Sequence, residues 1–175
     1  MNMYSLGEKV IYGMQGICVV ADLEHRTIGG KQVTYLVLEP PEQSGSRYLV
    51  PTHNPAAMAK VRPILSPEDL EAMLASGKVR TDVWIPEEGK RKQSYKELIT
   101  SNDREQLAGM VAALYRHRAA LTAAGKKIHM SDENFLRDAE KILSGEIAAA
   151  LNQTPSDALK YLRKKLKEDS NNTDS

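Results

Sequence analysis

A single cysteine, Cys18, stands in a chain of 175 residues, so no disulfide can form within it. In the run Ile17-Cys18-Val19-Val20 it reads as a small buried hydrophobe. No apolar run approaches the ~20 residues of a membrane helix. The N-terminus, Met1-Asn2-Met3-Tyr4, carries no charged region or leader. The expected setting is the cytoplasm, with no membrane partner. Histidine is scarce and scattered: His25, His53, His117 and His129 show no metal-ligand spacing, and there is no cysteine cluster for zinc. Neither G-x-S-x-G nor a P-loop occurs, and Gly13-Met14-Gln15-Gly16 is too short and isolated to cradle a phosphate. The carboxylates fall at helix starts, where capping and the helix dipole account for them. No catalytic set, bound metal or cofactor is expected, and the chain is read as a non-enzyme.

What is present is a core-forming composition: 41% apolar, 27% charged, net charge +1. That is enough for one or two compact domains and by itself argues for no partner. The first half is organised around 27–48. Gly29-Gly30 separates two β-forming runs, Leu23–Ile28 and Gln32–Leu38, and supplies the positive φ angles of a two-residue hairpin. Val33-Thr34-Tyr35-Leu36-Val37-Leu38 has the make-up of a largely buried strand, ended by Pro40-Pro41. Further strands are predicted at Lys9–Tyr12, Gly16–Leu23, Arg47–Val50 and Ala59–Arg62. Short strands broken by glycine and proline suggest a small antiparallel β-barrel of the Tudor or SH3 kind over 1–62.

From Pro63 the pattern becomes helical. Ser66-Pro67-Glu68-Asp69 has the form of a capped helix start, and Gly77 ends that helix. Lys78 to Gly89 reads as a loop and Lys90 to Thr100 as a helix. Asp103 and Gln106 cap a long helix that ends at Gly125. Ser131 caps the next, with Gly145 inside it as a weak point or a place of close packing. Thr154-Pro155-Ser156-Asp157 opens the last, which ends near Glu168. The fold expected is thus α+β multidomain: the barrel, an all-helical C-terminal domain of about five helices over 63–169, and a disordered tail over 170–175.

Charge is unevenly spread. Between Lys78 and Met130 there are eleven Lys and Arg against six acids, whereas 131–175 carries seven against nine. The basic middle suits either a phosphate-facing surface or a solvated helix face. The only tryptophan, Trp84, precedes Lys90-Arg91-Lys92 and lies next to Pro86. Two readings are open for it: a plug in an interface, or a wedge against bases. The cations of the last helix, Lys160, Arg163, Lys164, Lys165 and Lys167, suit its C-terminal dipole.

Several stretches of the first half stand together: Leu6-Gly7-Glu8-Lys9-Val10-Ile11-Tyr12, Arg26-Thr27-Ile28-Gly29-Gly30, Tyr35-Leu36-Val37-Leu38 and Leu49-Val50-Pro51. The second half adds Tyr95-Lys96-Glu97-Leu98, Ser101-Asn102-Asp103 and Met130 through Ile147. In their order and spacing, though no one of them is specific, these segments resemble the CarD family of bacterial transcription regulators. The first half also resembles the polymerase-interacting domain of the transcription–repair coupling factor, but helicase motifs are missing.

The resemblance implies a monomer whose barrel docks on the β-subunit lobe of RNA polymerase. Its helical half would touch promoter DNA in the minor groove, without sequence specificity, at the upstream edge of the melted region, and so stabilise the open complex. The polymerase contacts implied are Arg26, Thr27, Arg47, Leu49, Val50 and Pro51. Leu49 occupies the family's second arginine position, and Arg47 lies two residues earlier on the same strand face. The DNA contacts are Trp84, Lys90, Arg91, Lys92, Lys96, Lys126 and Lys127. Trp84 departs from the commoner pattern of tryptophan directly before Arg-Arg-Tyr, and an inserted segment, Ile85 to Gly89, accounts for the difference. The alternative is a polymerase-bound adaptor with no DNA contact.

Overall fold

A computed structural model describes residues 4–41 and 45–171 of the chain, which divides between Ile64 and Leu65 into two compact units. In the first, β1 (Lys9–Tyr12) runs through a single 3-10 turn into β2 (Gly16–Ile28). Gly29 and Gly30 both take positive φ, 59° and 78°, as a two-residue hairpin turn with the twist of the strands requires. β2 therefore folds straight back into β3 (Lys31–Glu39), with Ile28 opposite Lys31. β4 (Tyr48–Pro51) and β5 (Val61–Pro63) complete a five-stranded antiparallel sheet ordered β4-β3-β2-β1-β5.

Val50 of one edge strand and Val61 of the other share a core with Tyr4, Val10, Cys18, Val20, Leu36 and Leu38. A flat sheet could not bring its two edges into one core, so this one is curled. A register shift between Val20 and Asp22 bends β2 to allow it. Pro63 belongs to β5, so the strand runs past the expected limit of the first domain. One element was not expected: a four-residue helix, α1 (Pro55–Met58), whose N-cap Asn54 accepts from the amides of Ala56 and Ala57.

Among the described residues the second unit has six helices, where about five were expected. They are α2 (Pro67–Leu74), α3 (Gly77–Thr81), α4 (Glu88–Thr100), α5 (Arg104–Ala123), α6 (Met130–Leu151) and α7 (Pro155–Asn171). The extra one is α3. Ser76 Oγ accepts from the Val79 amide at 3.3 Å, so Gly77 opens a short helix inside the stretch expected to be a loop. Ser66, Asp103 and Thr154 cap as their sequences suggest, accepting from the amides three residues on. Ser131 does not: α6 begins one residue earlier, after His129, which makes no side-chain cap bond. Gly125, at φ 72°, ends α5, and the Lys126 amide reaches back to the Leu121 carbonyl at 2.8 Å. α7 continues past Glu168 to Asn171. The rest of the expected tail, 172–175, lies outside the described residues.

α5 is the axis of this unit. Every residue from Leu107 to Tyr115 is buried, as in a helix covered on all sides. A Cβ on Gly109 would lie 2.7 Å from Asp82 Oδ2, so the α3–α4 connection rests on the bare backbone there. Gly145 is no such place, since a Cβ on it would meet nothing within 4 Å. Charged pairs are built into the interior: Arg91 with Asp132 at 2.8 Å and Arg104 with Glu146 at 2.5 Å.

Candidate interaction surfaces

Cross-strand register decides which side chains of the sheet share a face. Glu24 lies opposite Tyr35, Arg26 opposite Val33, Tyr35 opposite Pro51 and Val37 opposite Leu49. With the two-residue period of a strand, Glu24, Arg26, Val33, Tyr35, Leu49 and Pro51 stand on the outer face. Arg47, two residues before Leu49, joins them. Glu24 accepts from Arg26 at 2.6 Å and lies 3.9 Å from Arg47, which also meets Glu39 at 3.3 Å. The Arg26 guanidinium sits 5.7 Å from the centre of the Tyr35 ring. Both arginine side chains remain 49% exposed. Pairs this exposed are worth about 0–1 kcal/mol, so an incoming carboxylate can take over either arginine. Beside them, β4 is an edge strand paired, among the described residues, only with β3, which leaves one row of backbone groups open to an added strand.

Two residues expected on this face are elsewhere. Val50 is 1% exposed and points into the barrel core, so its side chain cannot meet a partner. Thr27 follows Arg26 in the pleat and so faces the opposite side, the side of His25. Conversely Glu24, Val33 and Tyr35 belong to the face and were missed. Counting in twos from Arg26 and from Leu49 would have found them.

In the helical unit, Trp84 is half-buried and packs on the core. Its ring stacks on His117 with centres 3.7 Å apart and planes 12° from parallel. The Arg91 guanidinium lies 4.5 Å from the ring centre. Trp84 Nε1 is buried without a hydrogen-bond partner. Burial, abetted by the nearby Arg91 and His129 charges and opposed by Asp132, holds His117 below its usual pKa. The Tyr95 hydroxyl is pushed up to about 12, by burial first and then by Asp132. Trp84 is therefore held by two helices, through Arg91 of α4 and His117 of α5, and packs on the core of this unit. Its neighbour Val83 stands out in solvent, 76% exposed.

Arg91 does not belong to the exposed basic cluster. It is 2% exposed, bonded to Asp132, and donates Nη1 to the carbonyls of Ile85 and Pro86 at 3.0 and 3.3 Å. A guanidinium so enclosed has no donor to offer a phosphate. Lys90, Lys92 and Lys96 do lie on the solvent side of α4, the first two ion-paired with Glu87 and Glu88. Lys126 and Lys127 are exposed just past the end of α5. Among the described residues no three His, Cys, Asp or Glu side chains are placed to hold a metal ion, and no helix is long and apolar enough to cross a membrane.

Residues 4–64 match the family model of the CarD-like/TRCF RID domain. The match ends at the boundary of the first compact unit, so the sheet with the arginine face is the part of the chain similar to that domain.

Proposed function

We propose that this chain is a bacterial transcription regulator of the CarD kind, acting as a monomer in the cytoplasm. A RID is an RNA-polymerase-interacting domain, a protein-binding module with no catalytic role. The observation that carries the reading is the outer face of the matched unit, where Arg26 and Arg47 flank Tyr35, Leu49 and Pro51 beside an open strand edge. The partner is the β-subunit lobe of the polymerase. Its carboxylates would replace Glu24 on the arginines, and its backbone would extend the sheet at β4. Arg26→Glu puts a second acid beside Glu24 and should weaken binding to the isolated lobe by about 2–5 kcal/mol, that is, about 30-fold or more. Unchanged affinity in a folded Arg26→Glu protein would overturn this face.

Tethered there, the helical unit would meet promoter DNA at the upstream edge of the melted region and hold the complex open. Val83 and the uncovered part of Trp84 supply an apolar edge for the exposed base step in the minor groove. Lys90, Lys92, Lys96, Lys126 and Lys127 supply sequence-independent phosphate contacts. Stacking at such a junction is worth about 1–3 kcal/mol per base, so Trp84→Ala should shorten open-complex lifetime about 5-fold or more while polymerase binding persists. The adaptor reading draws on a specific observation as well: Trp84 is tied to His117 and Arg91 as a packing residue. If neither Trp84→Ala nor a Lys90/Lys92/Lys96 triple glutamine variant alters the lifetime, the chain is an adaptor and makes no DNA contact.

A further inference from the structure

Glu24 holds both arginines of the outer sheet face at once. Its Oε1 accepts from Nε and Nη2 of Arg26, each at 2.6 Å. Its Oε2 faces Arg47 Nη2 at 3.9 Å. Glu24 and Arg26 both belong to β2 with one residue between them, so their side chains stand next to each other on one face. Their closeness is built into the strand. Tyr35 lies opposite Glu24 in β3, and the Arg26 guanidinium is drawn back towards that ring, 5.7 Å from its centre. The arginine thus leans along the sheet towards Glu24.

Which edge of the guanidinium is covered decides what the contact does. A carboxylate pairs with arginine most strongly through two parallel hydrogen bonds to one edge of the fork. Glu24 covers the Nε–Nη2 edge of Arg26, and does so with a single oxygen. A partner's carboxylate that needs this edge must first displace it. Arg47 carries a second acid of its own, Glu39 at 3.3 Å. Two cations and two carboxylates leave this cluster with no net charge, so it has little field of its own to draw in an acidic partner. What it offers is two arginines, each lying behind a counter-ion that belongs to the same chain.

We propose that Glu24 is a built-in competitor for the polymerase-facing arginines, one that lowers the affinity of the face and raises its selectivity. The inference rests on the polymerase-binding reading above and adds to it the residue that sets the strength of that contact. An exposed pair favours its closed state by no more than about fivefold. The covered edge of Arg26 is then free for about a half to a sixth of the time, and the apparent affinity falls in the same proportion, about 2- to 6-fold. The selectivity follows from the same exchange. A partner acid that reaches the arginine through one oxygen gains nothing over the carboxylate already there, whereas one that brings two oxygens to the fork does.

The test is the affinity of the full chain for the isolated β-subunit lobe, measured for Glu24→Gln. Glutamine keeps the length of the side chain and a carbonyl oxygen that accepts from Arg26, and removes only the charge. Glu24→Gln should tighten binding about 2- to 6-fold. In an Arg26→Ala background the same change should gain less, because one of the two covered cations is gone. Glu68→Gln, which removes a negative charge from the exposed side of α2 instead, should leave the affinity unchanged. If Glu24→Gln weakens binding or leaves it unchanged while Arg26→Glu still weakens it, Glu24 steadies the arginines or meets the partner itself. The competitor is then overturned and the arginine face stands. An equal gain in Glu68→Gln overturns it too, since the net charge of the chain would then account for the effect. If Arg26→Glu binds as the wild type does, the face itself fails and this inference falls with it.

Discussion

Replacing Arg91 by alanine separates the buried ion pair from the basic run in which it is written. Arg91 and Asp132 are 2% and 0% exposed, with Nε and Oδ1 2.8 Å apart. Arg91→Ala would leave the Asp132 carboxylate enclosed with no cation, its second oxygen already without a partner. The Ile85 and Pro86 carbonyls would lose their donor as well. Removing one member of a buried pair costs about 3–5 kcal/mol, most of it the penalty of the charge left behind. With a urea m-value of about 1.5 kcal/mol/M, the unfolding midpoint should fall by about 2–3 M. Trp84 is the only tryptophan, and the Arg91 guanidinium lies 4.5 Å from its ring centre, so its fluorescence reports on this unit alone. Asp132→Ala should cost a similar amount. The double variant Arg91→Met/Asp132→Leu should recover much of the loss, because no charge is then stranded. If Arg91→Ala unfolds within about 0.5 kcal/mol of wild type and instead weakens DNA binding, Arg91 faces solvent and the reasoning fails.

An unfolded His117 takes up a proton near pH 6.5, whereas burial lowers its pKa in the folded unit. Stability is therefore complete above pH 6.5 and declines as pH falls through it. Thermal unfolding between about pH 7.5 and 5.5 should show this decline, and His117→Phe should flatten it. A decline of the same size in the variant would assign it to other groups. Gly30→Val forces a β-branched residue to φ 78° and should destabilise the hairpin by about 1–2 kcal/mol. Faster hydrogen exchange in the amides of β2 and β3 would report it, and Gly30→Asn should show less. Val50→Ala should cost the barrel about 2 kcal/mol in thermal unfolding with little direct effect on partner contacts. Leu49→Ala should do the reverse, holding stability within about 0.5 kcal/mol while lowering affinity for the polymerase lobe.

Most elements of this protein are written in residues that are neighbours in the chain. Gly29-Gly30 makes its hairpin, and Ser66, Asp103 and Thr154 cap their helices, through bonds spanning three residues at most. Even the elements that went unread had local signals. Asn54-Pro55 has the same grammar as Ser66-Pro67, and Ser76 caps α3 just as Ser66 caps α2. The outer sheet face was legible in part, through Arg26, Arg47, Leu49 and Pro51, because strand alternation follows from counting in twos.

The order of faces on α4 was not legible. Lys90-Arg91-Lys92 reads as one cluster, yet successive helix residues point about 100° apart, so a run of three must divide between solvent and core. Stepping back from the buried Tyr95 by three residues reaches Lys92 and by four reaches Arg91, and nothing local chooses between them. Tertiary structure made the choice. Asp132, forty-one residues further on, meets Arg91 inside the unit, and the carbonyls of Ile85 and Pro86 close around the same guanidinium. A charged group can leave water only where a counter-charge and hydrogen-bond acceptors are already in place, and those come together only when the helices pack.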